Sequence, residues 1–187
     1  MYESQGIDPK VLDFFTPWLE RTAQGSWAFV SHGSIAGLLQ PIMVRQHLLF
    51  YSALDALCFC HFQPKWLQRP GSCAFSAIGF QPTSGQVQEL KNQLPNARTI
   101  GVFDDDLCGK VLDCKVSLWL MGRDANFDYA KDMVNIHYRD KEFSIPELEF
   151  SLHRFRMLSG FRSAFRTIKP HAHISFTTML AHRKRAL

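Results

Sequence analysis

The feature that most constrains the fold is a regular alternation of short apolar segments with longer amphipathic ones in the middle of the chain. The apolar runs are typical of buried strands, and each is followed by a segment of helical period. The predicted strands are 48–51, 72–76 and 99–103, and the predicted helices are 53–62, 84–94 and 107–120. Strands and helices that alternate through short connections indicate parallel βαβ units. We therefore predict an α/β fold with an open, mostly parallel sheet flanked by helices.

The amino-terminal region gives local signals of its own. Asp8 is a candidate N-cap, and Pro9 suits the first turn of a short helix. Two short apolar runs, 27–30 and 35–39, are separated by Ser and Gly, and we predict that they pair as a small hairpin. This region is expected to be a helical and hairpin segment in front of the main sheet.

The region after the core is less regular. Residues 134–138 alternate between apolar and polar types, which predicts one more strand. Ser144 and Glu147 have the spacing of a capping box, which predicts that a helix begins around Pro146. From His171 onward no clear period is visible.

Size and composition limit the possibilities. The chain has 187 residues, of which 46% are hydrophobic, as expected for one globular domain with a short extension. No apolar run approaches the roughly 20 residues that a membrane-spanning helix needs. We therefore expect a cytoplasmic protein without a membrane partner. The five cysteines are expected to be reduced and mostly buried, because their number is odd and several lie within apolar runs. A structural zinc site is not expected, because Cys58, Cys60 and His61 lack the paired spacing that it needs.

The charge distribution is asymmetric along the chain. Up to residue 150 there are 13 Lys and Arg against 17 Asp and Glu, and no acidic residue follows Glu149. The basic residues beyond that point are Arg154, Arg156, Arg162, Arg166, Lys169, Arg183, Lys184 and Arg185. Such a basic region favours DNA or another nucleic acid as partner. Solvent-facing arginines without a ligand, or an acidic protein partner, are the alternatives.

Three consecutive aspartates follow the third predicted strand. Asp104 and Asp106 would lie at the carboxyl end of that strand, where open α/β sheets place ligand sites. Crowded carboxylates repel each other, and a divalent cation relieves that repulsion, so Mg²⁺ or Mn²⁺ is the predicted ligand. The alternative is a solvated turn in which one aspartate caps the next helix. A haloacid-dehalogenase-like phosphatase also uses Asp-x-Asp, but usually continues with Gly-Thr, where this chain has Leu107 and Cys108.

Three segments in order carry a family resemblance. They are Leu48-Leu-Phe-Tyr-Ser-Ala-Leu-Asp-Ala-Leu57, then Ala74-Phe-Ser-Ala-Ile-Gly79, then Val102-Phe-Asp-Asp-Asp-Leu-Cys-Gly109. The series resembles the Toprim fold of bacterial primases, topoisomerases and recombination nucleases. It is most similar to the Toprim domains of primase-like and mobilisation proteins from bacterial mobile elements.

The resemblance implies specific roles. Asp104, Asp106 and Gly109 match the Asp-x-Asp-x-x-Gly motif of the family, and Ser52 and Asp55 match its first motif. It implies a Mg²⁺ or Mn²⁺ site at Asp104, Asp106 and Asp55, with Asp104 and Asp106 as the catalytic residues if the protein is active. The resemblance covers roughly residues 43–122. Together with the charge distribution it leads us to expect three regions: an amino-terminal segment packing on the core (1–46), a Toprim-like domain (47–143) and a basic carboxyl-terminal extension (144–187).

One departure from the family pattern bears on activity. Tyr51 stands where the family carries its glutamate, and a phenol with a pKa of about 10 is a poor acid, base or metal ligand at neutral pH. The leading hypothesis is a catalytically impaired, nucleic-acid-associated Toprim-like protein with a residual divalent-cation site. The alternatives are an active Mg²⁺-dependent nuclease or primase-like nucleotidyl-transfer enzyme, and a protein-interaction adaptor on the same scaffold.

Overall fold

The computed structural model describes residues 6–23, 25–30 and 35–185, and within them the apolar runs form the strands of a central sheet. The helices are α1 Pro9–Phe15, α2 Ala53–Phe62, α3 Ser84–Gln93, α4 Leu107–Trp119, α5 Leu152–Ser159 and α6 Phe176–Arg185. The strands are β1 Leu19–Arg21, β2 Trp27–Phe29, β3 Ile35–Ala36, β4 Gln46–Phe50, β5 Cys73–Ala77, β6 Arg98–Gly101, β7 Asn126–Ala130, β8 Met133–Tyr138, β9 Lys141–Pro146 and β10 Arg166–Thr167.

The central sheet has five strands in the order β10-β6-β4-β5-β3. The first four run parallel, and β3 is antiparallel to β5. The carboxyl ends of β4 and β6 therefore lie side by side, which brings Tyr51 close to the loop after β6. The predicted α/β fold with a mostly parallel sheet flanked by helices is confirmed.

The central strand β4 builds a core on both of its faces because its side chains alternate. Leu48 and Phe50 pack with buried residues of α1, α2 and α6. Leu49 and Tyr51 pack with buried residues of α3 and α4. The result is a three-layer arrangement in which helices cover both faces of the sheet.

The amino-terminal hairpin was wrongly predicted. The run at 27–30 forms β2, which pairs with β1 instead of the run at 35–39. Ile35 and Ala36 form β3 and pair with Ser76 and Phe75 on the outer edge of β5. The edge of β5 offers backbone hydrogen bonds and buries both side chains, so long-range pairing prevails over local pairing. The short helix is confirmed, and the Asp8 carboxylate accepts a hydrogen bond from the backbone N–H of Lys10.

A second sheet follows α4 and contains β7, β8 and β9 as an antiparallel meander. The strand predicted at 134–138 is its middle strand. A helical turn does begin after Pro146, as a 3-10 helix at Glu147–Glu149. The capping box predicted there is wrong, because Ser144 lies in β9 and donates a hydrogen bond to Asn135 on β8. The next α-helix, α5, begins at Leu152 and is capped by Ser151.

The basic carboxyl-terminal region contributes β10 and two helices, α5 and α6, to the main fold, and Leu152 and Phe155 of α5 are buried in the core that α4 lines. Arg166 and Thr167 form β10, which extends the central sheet beside β6. The stretch beyond His171 contains α6, a helix that sequence periodicity did not reveal. Its Phe176 and Leu180 belong to the core that α2 lines. No helix among the described residues is long and apolar enough to cross a membrane.

Candidate functional site at the carboxyl edge of the sheet

The acidic loop joins β6 to α4, and its geometry is fixed by close backbone packing. Asp106 is the N-cap of α4, and its Oδ1 accepts a hydrogen bond from the Gly109 backbone N–H at 2.7 Å. A side chain at position 109 would overlap the backbone carbonyl of Asp104. Gly109 is therefore required by the approach of the first helical turn to the end of the strand. The Asp-x-Asp-x-x-Gly spacing has a structural cause in addition to any chemical one.

Asp55 lies at the same edge, at the start of α2, and both of its carboxylate oxygens accept hydrogen bonds. Oδ2 accepts from the Ser52 backbone N–H at 3.1 Å and from the Ser52 hydroxyl at 2.7 Å, which completes a capping box. Oδ1 accepts from the Thr177 hydroxyl of α6 at 2.8 Å. Asp55 thus holds the start of α2 and joins it to the carboxyl-terminal helix.

The Asp104 carboxylate lies in an electrostatically unfavourable position. Burial first, and then the neighbouring charges of Asp55 and Asp106, raise the pKa of its carboxyl group to about 6, while Lys169 acts in the opposite direction. No described residue donates a hydrogen bond to this carboxylate. Asp104 is therefore close enough to Asp55 and to Asp106 for their charges to disfavour its ionised form.

These side chains do not form a complete metal site as placed. Among the described residues, no group of three or more His, Cys, Asp and Glu side chains is arranged to hold a metal ion. Asp55 has both oxygens in protein hydrogen bonds, and Asp106 uses one oxygen as a helix cap. The Asp104 carboxylate and the second oxygen of Asp106 are the donors left, so the three-aspartate set does not fit Mg²⁺ or Mn²⁺ without rearrangement.

Tyr51 closes the site from the end of β4. Its side chain is 7% exposed and lies against two aromatic rings, with centroid distances of 5.0 Å to Phe80 and 5.2 Å to Phe103. Burial raises the pKa of the phenol well above its usual value, and the charges of Asp106 and Asp104 raise it further. The residue is a neutral aromatic side chain beside the carboxylates.

An ion pair that the sequence did not predict lies beneath the acidic loop. Asp113 of α4 is 2% exposed, and its Oδ2 lies 2.7 Å from Lys169 Nζ. The same ammonium donates hydrogen bonds to the backbone carbonyls of Phe103 and Asp104. Burial raises the pKa of Asp113 to about 7, against the influence of Lys169. The sequence did contain one indication of this ion pair. Asp113 lies in an apolar stretch of a predicted helix, and a buried carboxylate usually needs a cation as partner.

The predicted nucleic-acid-binding residues whose side chains are described divide into three groups. Lys169 points inward, and Arg156 donates hydrogen bonds to the Ser163 hydroxyl and the Phe165 carbonyl. Arg154 lies on the surface and pairs with Glu149 at 3.4 Å. Three others are exposed and make no ion pair with a described residue: Arg162, Arg166 and Arg183. Lys184 and Arg185 lie in α6, but their side chains are outside the described part of the chain.

Comparison of this chain with known protein families, curated proteins and solved structures identifies no relative. No family model matches this chain, and neither a curated protein nor a solved structure is significantly similar to it. The Toprim resemblance therefore rests on the motif residues and their spacing.

Proposed function

We propose that the chain is a Toprim-like nucleic-acid-binding protein whose carboxyl-edge site does not cleave strands or transfer nucleotides. The observation that carries the proposal is Tyr51, a buried neutral phenol at the position where the resemblance implies a catalytic glutamate. The exposed arginines of the carboxyl-terminal region supply the surface for the nucleic acid.

The chemistry of the edge supports impaired catalysis. A phenol with a raised pKa stays protonated at neutral pH, so it can neither accept a proton nor add a negative ligand for a cation. Asp55 and Asp106 are engaged as helix caps, which leaves Asp104 as the acidic side chain without a described donor. A residual Mg²⁺ or Mn²⁺ site at Asp104 and Asp106 remains a prediction, which thermal unfolding in the presence of either cation would test.

Nucleic-acid binding is supported by unpaired positive charge at the surface. Arg162, Arg166 and Arg183 are exposed, and the chain has no acidic residue after Glu149 that could neutralise them locally. Guanidinium groups bind phosphate oxygens strongly and release counterions when they do so. This charge pattern suits a phosphate backbone better than it suits a small neutral ligand.

Binding is tested with DNA of several forms at a series of salt concentrations. We expect supercoiled, linear or single-stranded DNA to bind with an affinity that falls as salt rises. The triple variant Arg162→Gln, Arg166→Gln, Arg183→Gln should make the slope of log K against log salt shallower for each phosphate that it no longer neutralises, by about 0.9 in duplex DNA and about 0.7 in single-stranded DNA. The matched control replaces the exposed cations Lys10, Lys131 and Lys141 with Gln. Equal weakening in both triple variants, or affinity independent of salt, would reject the proposal.

Catalysis is tested by incubating the same DNA forms with the protein in Mg²⁺ or Mn²⁺. We expect no nicking or cleavage by the wild type. Cleavage that disappears in Asp104→Ala would show instead that the active-enzyme alternative is right. If Tyr51→Glu cleaves DNA, this would support the view that replacement of the family glutamate by tyrosine abolished a nuclease activity.

A protein-interaction role is the second candidate, and it has an observation of its own. Leu148, just before α5, is 98% exposed, and the neighbouring helix carries the exposed side chains of Met157 and Leu158. Exposed apolar side chains mark interaction sites where they form a contiguous patch, and these three lie within residues 148–158. If the DNA assays are negative, this region is the one to examine for a protein partner.

A further inference from the structure

A basic pocket lies at the amino edge of the central sheet, opposite the aspartates. It is an open pocket of about 390 Å³, a size within the range of small-ligand sites. Three cations and one indole ring dominate its lining, which consists of Arg45, Gln46, Lys65, Trp66, Gln68, Arg69, Ser72 and Cys73. Arg45 directly precedes β4 and Gln46 begins it, while Cys73 begins β5. The other residues belong to the connection between α2 and β5.

The segments that carry the cations are tied together by backbone hydrogen bonds. The Ser72 carbonyl accepts from the Arg45 N–H at 2.8 Å and from the Gln46 N–H at 3.1 Å. The Arg69 carbonyl accepts from the Ser72 N–H at 3.1 Å and from the Ser72 hydroxyl at 2.7 Å. The backbone positions of Arg45 and Arg69 are thereby fixed relative to each other before any ligand binds, which reduces the entropic cost of binding.

The pocket holds positive charge without a counterion. No carboxylate lines it, and Arg45, Lys65 and Arg69 make no ion pair with any residue in the described part of the chain. Arg98, at the start of the adjacent strand β6, adds another exposed cation, and its N–H bonds to the Arg45 carbonyl. Like charges so close together repel one another, and an anion relieves that repulsion. Guanidinium groups match the oxygens of phosphate in particular.

Trp66 gives the pocket a second kind of contact. It lies in the short turn Pro64–Leu67, half-buried, with its ring centroid 6.1 Å from that of Phe59 in the core. One part of the indole is held by the protein while another part lines the pocket. Indole rings stack on nucleobases of any sequence, and such stacking contributes about 1–3 kcal/mol per base.

We propose that this pocket binds a nucleotide, with the phosphate on Arg45, Lys65 and Arg69 and the base against Trp66. The ligand is either a free mononucleotide or a phosphorylated nucleotide of a strand, since both present a phosphate next to a base. The site is separate from the exposed arginines of the carboxyl-terminal region and does not depend on them.

Calorimetric titration with AMP, inorganic phosphate and a phosphorylated dinucleotide tests the pocket in the full chain at low salt. We expect AMP to bind more tightly than inorganic phosphate, and the double variant Arg45→Gln, Arg69→Gln to weaken AMP binding by at least about tenfold, as for the removal of charge-assisted hydrogen bonds. Lys141→Gln, an exposed cation on β9, is the matched control and should bind like the wild type. Tighter binding of the dinucleotide than of AMP would identify a strand as the source of the ligand.

Tryptophan fluorescence gives a second readout that does not need the arginine variants. We expect AMP to quench the emission of the wild type, and Trp66→Phe, which keeps an aromatic ring in the core, to lose that quenching. No binding of any of the three probes, or AMP binding unchanged in the double arginine variant and in Trp66→Phe, would overturn the proposal. DNA binding that depends on Arg162, Arg166 and Arg183 would stand even then, so the two failures are distinguishable.

Discussion

At the scale of single residues, Gly109 shows how a neighbour's backbone can require a glycine. A side chain there would overlap the carbonyl of Asp104, which is backbone and cannot rotate away. We expect Gly109→Ala to lower the free energy of unfolding by about 2 kcal/mol or more, because overpacking must shift the first turn of α4. The control is Gly85→Ala in the first turn of α3, where a methyl group meets no close atom and should be neutral or stabilising. Urea unfolding of both variants measures the difference, and equal stability would contradict the packing argument.

Asp104 provides a prediction on pH. Its pKa of about 6 in the folded protein exceeds its ordinary value of 3.8, so the folded state holds this proton more tightly than the unfolded state does. The contribution to stability is complete below pH 4 and is lost as pH rises through about 6. We expect Asp104→Asn to be more stable than the wild type at pH 8, with little gain at pH 4. Thermal unfolding across this range measures the effect, and Asp128→Asn, at an exposed carboxylate on β7, is the control.

The same assay tests the predicted cation site. A divalent cation held by Asp104 and Asp106 would relieve their repulsion and raise the unfolding temperature of the wild type in Mg²⁺ or Mn²⁺, but not that of Asp104→Asn. An unchanged wild-type temperature would mean that the carboxylates act as helix caps and charge neighbours without binding metal.

At the scale of elements, α6 packs on α2 through Phe176 and Leu180 and is joined to it by a side-chain hydrogen bond. Phe176 is buried and lies edge-on to Phe59 with 5.1 Å between ring centroids, and Thr177 donates to Asp55. We expect Phe176→Ala to cost about 3 kcal/mol of unfolding free energy, as for other buried aromatic truncations. Ile174→Ala is the nearby control, since that side chain is 58% exposed and its truncation should cost less than about 0.5 kcal/mol. Chemical denaturation that finds the two variants equal would contradict this docking.

The sequence predicted those helices and strands that can be recognised from their own residues, without knowing which other elements they pack against. The helix at 53–62 and the strands at 48–51, 72–76 and 99–103 show their period locally, and each is present within a few residues of the predicted bounds. β3 and β10 have two residues each, too few for any period, and exist because β5 and β6 offer open edges. At the site, the motif placed the aspartates at the correct strand end. The sequence also offered helix capping by one aspartate, and Asp106 does cap α4. It could not show that Thr177 donates to Asp55 or that Lys169 turns inward, because those contacts come from elements far apart in sequence.

At the scale of the whole molecule, the reactivity of the cysteine thiols can show whether both faces of the central sheet unfold together. Cys108 is exposed and the other four are buried, with Cys58, Cys60 and Cys73 on the face covered by α1, α2 and α6 and Cys114 on the opposite face. β4 contributes Leu48 and Leu49 to opposite cores, so neither helical layer can leave the sheet without exposing apolar surface on the strand that both share.

We expect one thiol to react with N-ethylmaleimide in the native protein, and none in Cys108→Ser. Across a urea series read by mass spectrometry, the four buried thiols should become reactive at a common midpoint, as in cooperative unfolding of a single domain. Reaction of the thiols near α2 at lower urea than Cys114 would show instead that the α1, α2 and α6 layer opens first.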